Sequence, residues 1–366
     1  MKYTKLLGTA AIVAIAGGAL LAPSIVSAMD FKGKTVTALV AFKEGGGMDK
    51  ITRLFAPFFG KHLPGSPKVI VRNMPGGGGI RGNNWFHLNA KPDGLTYNGV
   101  TTSSQTGYVL GGNKVKYDLR TWNYILSTPR GTVIYTRPET GVKGKDVGAD
   151  VLALRKATLV TGAKTPTSAE LRLFLAMEVL GIKNVKPVFG LSTGKQRKAI
   201  LRGELNINYD SGGSYMKSVI KHVKKGTVLP FITLGYTAKD GSIVRDPAYP
   251  NIPTILDAYK AANGGKMPSG TLWEAYKNFY SMGVMTSKGF ALPPKAPKKL
   301  VATYIKAAKA ITKDKTFWKI AKKRLGNYPI DFGLDAKKNF MDAVDVTPAV
   351  KAYMTKFVKE KFDVNI

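Results

Sequence analysis

Residues Asn73 to Gly82 read Asn-Met-Pro-Gly-Gly-Gly-Gly-Ile-Arg-Gly, and they join an apolar, strand-like run to an amphipathic segment. No other stretch restricts the fold as much. Consecutive glycines reach positive φ without a Cβ clash, so successive backbone N–H groups can converge on one oxyanion at the mouth of a helix. The loop therefore reads as an anion cradle inside a strand–loop–helix unit. A solvated loop is the alternative for an isolated glycine cluster, but similar junctions recur along this chain.

Lys34 to Ala41 is an apolar run that predicts a buried strand. Gly45-Gly46-Gly47 comes next, with Asp49 as the expected cap of a helix whose Ile51, Leu54, Phe55 and Phe58 fall at helical spacing. Lys68 to Arg72 predicts a second strand, Asn83 to Ala90 a short helix, and Leu95 to Thr101 a third strand ending in a hydroxyl-rich tip, Thr101-Thr102-Ser103-Ser104-Gln105. Strands follow at Thr132 to Thr136 and Thr158 to Thr161. A second junction, Gly162 to Ser168, leads into a helix over Ala169 to Leu180 with Thr167 or Ser168 as its cap. A third, Gly190 to Gly194, joins a short strand at Pro187 to Phe189 to a helix at Arg197 to Gly203. Strands at Asn206 to Tyr209 and Val228 to Leu234, then helices at Ile255 to Ala262 and across Pro297 to Leu325, complete the pattern. Alternating strands and helices predict an α/β protein with mostly parallel sheets flanked by helices, and the repeated junctions suggest two similar lobes.

Three classes of chemistry find little support. Gly77-x-Gly79-x-x-Gly82 has the dinucleotide spacing, but the chain reads Thr101-Thr102-Ser103 where a ribose-binding carboxylate belongs. Gly190 to Gln196 resembles a P-loop but lacks one spacer and the magnesium-binding hydroxyl. The three histidines, His62, His87 and His222, have no i, i+4 partner in a metal-ligand pattern. No cofactor, no metal and no catalytic residue is expected. The loops instead offer backbone N–H groups, hydroxyls and nearby cations, an inventory that holds carboxylates or other oxyanions without transforming them. Asp210, at a strand end, suits either a ligand's hydroxyl or ammonium group or a structural acceptor role.

Lys2 and Lys5 precede an apolar run from Leu6 to Ala22, with small residues at Val26 and Ala28, so residues 1–28 read as a signal peptide cleaved after Ala28. A chain without cysteine fits a free periplasmic protein. The formal net charge of +33 is dispersed. Its densest stretch, Lys295 to Lys323, lies on helical repeats whose Leu300, Tyr304, Ile305 and Ile311 form a core-facing stripe. No nucleic-acid module is recognisable, and steering of anionic solutes is the better use of the charge.

Several motifs, in order, resemble the periplasmic solute receptors of tripartite tricarboxylate transporters, the Bug family. They are Ala41-Phe42-x-x-Gly45-Gly46-x-x-Asp49, Asn73-x-Pro75-Gly76-x-Gly78-Gly79, Lys91-Pro92-Asp93-Gly94-x-Thr96, Gly162 with Ser168, Leu201-x-Gly203-Glu204-Leu205, Asp210-Ser211 and Pro250-x-Ile252-Pro253-Thr254. The resemblance implies a two-lobed Venus-flytrap fold, type II-like. Residues 29–130 and 236–366 would form one lobe and 131–235 the inserted other, with crossovers near Ser127 to Thr132 and Thr233 to Gly235. It implies a small carboxylate in the cleft, permease subunits of a tripartite tricarboxylate-type transporter as partners, and a monomer that binds no nucleic acid. Carried over by position, ligand contacts would come from Phe42, Gly45, Gly46, Gly47, Met48, Thr102, Ser103, Ser104, Gly162, Lys164, Thr165, Thr167, Ser168, Phe189, Gly190 and Asp210. The chain departs from the family's pattern at Lys43-Glu44, Met48 and Phe189-Gly190-Leu191. Lys164 and Lys43 are candidate charge partners for a second carboxylate, or plain solvated lysines. The rival readings are a cationic interaction protein and an exported α/β enzyme using Asp210 or a histidine as base.

Overall fold

The apolar run at the start of the chain becomes β1 (Thr35–Val40), which lies between two parallel neighbours. The computed structural model describes residues 30–238, 240–326 and 328–366, so the expected signal peptide falls outside the described residues. From β1 the order is α1 (Gly47–His62), β2 (Lys68–Asn73), α2 (Ile80–Asn89), β3 (Thr96–Thr101), α3 (Thr102–Leu110) and β4 (Asn123–Thr128). After β4 the chain leaves this sheet through Pro129–Gly131. It then builds β5 (Thr132–Thr136), α4 (Val147–Lys156), β6 (Leu159–Gly162), α5 (Leu171–Val179), β7 (Val185–Val188), α6 (Thr193–Arg202), β8 (Ile207–Ser211), the short α7 (Gly212–Ser218) and α8 (Ile220–Val223), and β9 (Leu229–Thr233). The return runs through β10 (Tyr236–Thr237), β11 (Ile243–Val244), α9 (Ile255–Ala262) and α10 (Gly270–Gly283) to β12 (Lys288–Leu292). It ends with α11 (Lys298–Lys313), α12 (Lys315–Leu325), β13 (Asp331–Phe332), α13 (Gly333–Val344) and α14 (Pro348–Phe362).

The first sheet has six strands in the order β13-β4-β12-β3-β1-β2. β1 is parallel to β2 and β3, while β12 runs antiparallel to both β3 and β4, so β4 points the same way as β1 to β3. The second lobe holds β8-β5-β9, with β5 antiparallel to both neighbours, and a parallel β6-β7 pair. Asn206 stitches these together, accepting from the Val160 N–H at 2.7 Å through its side chain and donating its own N–H to the Val160 carbonyl.

The first core is aromatic. Phe55 lies 5.4 Å from Phe290 of β12 and 4.8 Å from Phe317 of α12, and Phe59 lies 5.1 Å from Tyr97 of β3. Each such ring, fully buried, contributes about 1.5–3 kcal/mol. These contacts fasten α1 over the sheet and aim its N-terminus along the C-terminal ends of β1 and β3.

Three local expectations change. Asp49 is not the cap of α1: Gly46 holds that position, extended at φ −71° and ψ 172°, and Asp49 sits in the first turn. The helix expected from Ala169 starts at Leu171 and is not capped by Thr167 or Ser168, because Ser168 turns its hydroxyl onto the Thr165 carbonyl and the Glu170 carboxylate. The stretch 236–366 does not keep to the first lobe throughout. α9 packs on α4, with Ala261 against Gly148, where a Cβ on Gly148 would meet Ala261 at 3.2 Å.

Candidate functional site

Where β1 and β3 end, the chain turns towards the second lobe, and a cavity of about 260 Å³ opens between the two. Its first wall is the turn from Ala41 to Met48. Asp49, buried behind that turn, accepts from the Gly45 N–H at 2.9 Å, from Asn73 Nδ2 at 3.0 Å and from Arg53 Nε at 3.0 Å. Burial pushes the Asp49 carboxyl up, but the Arg53, Gly45 and Asn73 hydrogen bonds outweigh that and hold it below its ordinary value. Asn73 also donates to the Phe42 carbonyl at 2.9 Å. The first glycine turn is thus stapled to the base of the second. No side chain caps α1, which leaves its first N–H groups facing the cavity.

The second wall is Pro75 to Gly79, whose last three residues, Gly77–Gly79, form a 3₁₀ turn that feeds α2. Glycine is required here by contact as well as by φ. A Cβ on Gly79, at φ +111°, would stand 2.6 Å from the Phe42 ring, and one on Gly82 would stand 2.7 Å from Ala41 Cβ. The loop therefore lies flat on Phe42.

The tip after β3 is not a loop. Thr101 and Ser104 form a reciprocal capping box, and the chain continues as α3. This splits the expected hydroxyl contacts. Ser103 lines the cavity and its Oγ accepts from the Ala169 N–H of the second lobe at 3.1 Å. Thr102 points away and donates to the Met282 carbonyl at 2.9 Å, while Ser104 is fully buried.

The second lobe contributes Lys164, Thr165, Ala169 and Arg172 from around the start of α5, Gly190 and Ser192 to Lys195 before and within α6, and Tyr209, Ser211 and Ser214 around the end of β8. Like α1, α6 opens without a side-chain cap. The Lys164 ammonium is paired with Glu170, a carboxylate 1% exposed that also accepts from Ser168 Oγ, Gln196 Nε2 at 3.2 Å and Tyr209 Oη at 3.1 Å. Burial raises the Glu170 carboxyl, but the Lys164 charge and the hydrogen bonds outweigh it and bring it down to about 2. Asp210 is likewise occupied, by Tyr135 Oη at 3.0 Å and Arg197 Nε at 2.8 Å. It is the structural acceptor of the two readings, and the group facing the cavity is Arg197.

Phe42, Gly45, Gly46, Gly47, Met48, Ser103, Lys164, Thr165 and Gly190 thus converge on the cavity. Met48 does so at its backbone, since its side chain packs on Gly99 of β3. Thr102, Ser104, Gly162, Thr167, Ser168, Phe189 and Asp210 are not part of the lining. Gly162 faces Gln196, and Phe189 packs edge-on to Phe362 of α14 at 5.5 Å. Sequence reasoning missed Arg172, Arg197 and Lys288. Lys288 opens β12 opposite Thr101, beside the N-terminus of α1, where its Cε would lie 3.8 Å from a Cβ on Gly47. Lys43, Lys50, Lys164, Arg172, Lys195, Arg197 and Lys288 line the cavity, and among the described residues no carboxylate does. The histidines lie elsewhere: His62 bonds Asp314 at 3.1 Å, and His87 Nδ1 accepts from Trp122 Nε1 at 3.2 Å.

Solved structures share this fold. The periplasmic binding protein BugD superposes with a TM-score of 0.63 at 20% identity, over 89% of this chain and 97% of its own. MatC from Rhodopseudomonas palustris, with bound malate, gives 0.61 at 18% identity, over 85% and 99%. Another R. palustris protein, with adipate, gives 0.62 at 15% identity, over 91% and 98%. The fold is that of a periplasmic binding protein. No protein-family model matches the chain, and no curated protein matches it by sequence. The two-lobed α/β fold expected from the sequence is therefore the fold observed, with the cavity where the C-terminal ends of β1 and β3 meet the second lobe.

Proposed function

We propose that this chain is an extracytoplasmic receptor of the tripartite tricarboxylate transporter type. It captures a small carboxylate between its lobes and delivers it to a membrane permease without altering it. The observation that carries the reading is a cleft walled by two glycine turns and an uncapped helix start, lined by seven cations and, among the described residues, by no carboxylate. Fixed N–H groups and a helix terminus favour an oxyanion by about 0.3–1 kcal/mol per terminus, up to about 2 when partly buried. Structures of the same fold hold malate and adipate, which agrees with that chemistry. A periplasmic location follows from the reading, with the N-terminal segment as export signal.

The test is a thermal-shift screen of the purified protein at physiological salt against mono-, di- and tricarboxylates, aromatic acids and acidic amino acids. A true ligand at a hundredfold excess over its Kd adds about 2.7 kcal/mol of stability. One carboxylate class raising the midpoint supports capture. A flat screen with shifts only from polyanions, lost on adding salt, favours a cationic interaction protein, and consumption of the solute would make the chain an enzyme.

A further inference from the structure

Seven cations line the cavity, but they are not equivalent. Lys164 is neutralised by Glu170 and Arg197 by Asp210. Lys43 and Lys195 are exposed at the rim, and Lys50 is half-buried in α1. Deep in the cleft, Arg172 and Lys288 are in no ion pair among the described residues.

Both are held in place by carbonyls, which fix position without cancelling charge. Arg172, 5% exposed, donates from Nη1 to the Gly283 carbonyl at 2.5 Å and lays its guanidinium 4.3 Å from the centre of the Tyr209 ring. Its Nε is buried without a partner. Lys288 donates to the Ser287 carbonyl at 2.8 Å, which uses one of the three N–H groups of its ammonium. A buried guanidinium and a half-buried ammonium facing one cavity repel each other and are costly to leave without an anion. Burial holds the Lys288 ammonium well below its ordinary value, and repulsion from Arg172, Arg130 and Lys164 adds to that, with only Glu170 acting in the opposite sense.

We propose that Arg172 and Lys288 receive a second negatively charged group of the ligand, so that the cleft selects organic dianions over monoanions of the same shape. The first carboxylate sits in the backbone cradle at α1. The second meets a planar guanidinium donor from one lobe and an ammonium from the other, which also draws α5 towards β12. This rests on the receptor reading above.

Titration calorimetry at pH 7 with succinate, glutarate and adipate, each against its own monoamide, tests it. The amide keeps the shape and removes one charge. The expected result is at least tenfold tighter binding of one dianion than of its monoamide, with the ratio falling below threefold in Lys288→Met. Arg172→Lys, which keeps the charge but loses the planar fork, is the second variant and should also reduce the ratio. Thermal melts establish that each variant is folded. Equal affinity for acid and monoamide, or a preference that survives in both folded variants, overturns the proposal while leaving carboxylate capture intact. No binding by any of the six probes, together with a flat carboxylate screen, overturns the receptor reading and this proposal together.

Discussion

Gly78 of the glycine-rich loop lies directly against Thr165 of the opposite lobe, so close that a Cβ on Gly78 would stand 2.9 Å from the Thr165 hydroxyl oxygen. With the Ala169 N–H to Ser103 Oγ hydrogen bond, this is where the two walls of the cleft meet. A methyl group here acts as a wedge. Gly78→Ala is expected to weaken binding of the captured acid at least fivefold. Part of its effect is backbone strain, because Gly78 has φ +67° and a side chain there costs about 1 kcal/mol. Gly226→Ala isolates that part: the residue has φ +71° with nothing within 4 Å of the added Cβ. It should lower the melting midpoint without changing affinity. Equal affinity losses in the two variants would rule out the wedge.

The Lys164–Glu170 pair gives a stability prediction. Removing the lysine leaves a buried carboxylate without its counter-charge, so Lys164→Met should cost about 3 kcal/mol at pH 7. Adding Glu170→Gln should restore most of it, since the amide needs no counter-ion. The pH dependence has a definite sign. Glu170 titrates near 2 in the folded protein against an ordinary value of 4.5, so its stabilisation is complete above about 4.5 and is lost as pH falls from there towards 2. Denaturant unfolding of the native protein and of Glu170→Gln across pH 2–7 checks it, and their stabilities should converge at the acid end.

Lys288 gives the same sign of pH dependence for the opposite reason, since here the fold disfavours the charged form. Its folded-state value lies below the ordinary 10.5, so the unfolded chain binds more protons and stability rises with pH until about 10.5 is passed. In the ligand-free protein Lys288→Met should raise the melting midpoint by about 2–4 °C near neutrality. That gain should shrink as pH approaches 10.5. A variant that melts lower at every pH would show that the lysine is held by more than the Ser287 carbonyl.

How much of this is legible in the sequence depends on whether a residue's neighbours are local. Strand β1, helix α1, strand β2 and the glycine loop follow from short-range patterning, which puts Phe42 and Gly45 to Met48 at the cavity. Thr101 to Gln105 reads as a hydroxyl-rich strand tip because Thr and Ser favour turns, yet Thr102 opens α3. It is a helix because Thr101 and Ser104 cap it and because it is buried against α10, α13 and α14. Lys288 could not be assigned, since its place at the cleft floor depends on β12 pairing in register with Thr101 and Thr128, strands far away in sequence. Glu170 left a faint trace, as a lone carboxylate at the start of an apolar helix, but that Lys164 would be spent on it depends on the fold of the Thr165–Ser168 turn.

Asp49 offers the most direct test of the cradle itself. Its carboxylate joins Gly45 of the first turn to Asn73 at the base of the second, and both turns need glycine, so neither can stiffen itself through side chains. Asp49→Ala removes hydrogen bonds to Gly45, Asn73 and Arg53 and should cost about 1–3 kcal/mol. It should also weaken carboxylate binding severalfold, although Asp49 itself lies outside the cavity lining. Asn73→Ala breaks the same staple from the other side, through the Phe42 carbonyl and Asp49. Because the two changes destroy one shared interaction, the double variant should lose less affinity than the two single losses combined, with a coupling of at least 0.5 kcal/mol. Strict additivity in calorimetric titrations would mean that each turn holds its shape independently, and that the cradle does not depend on the staple.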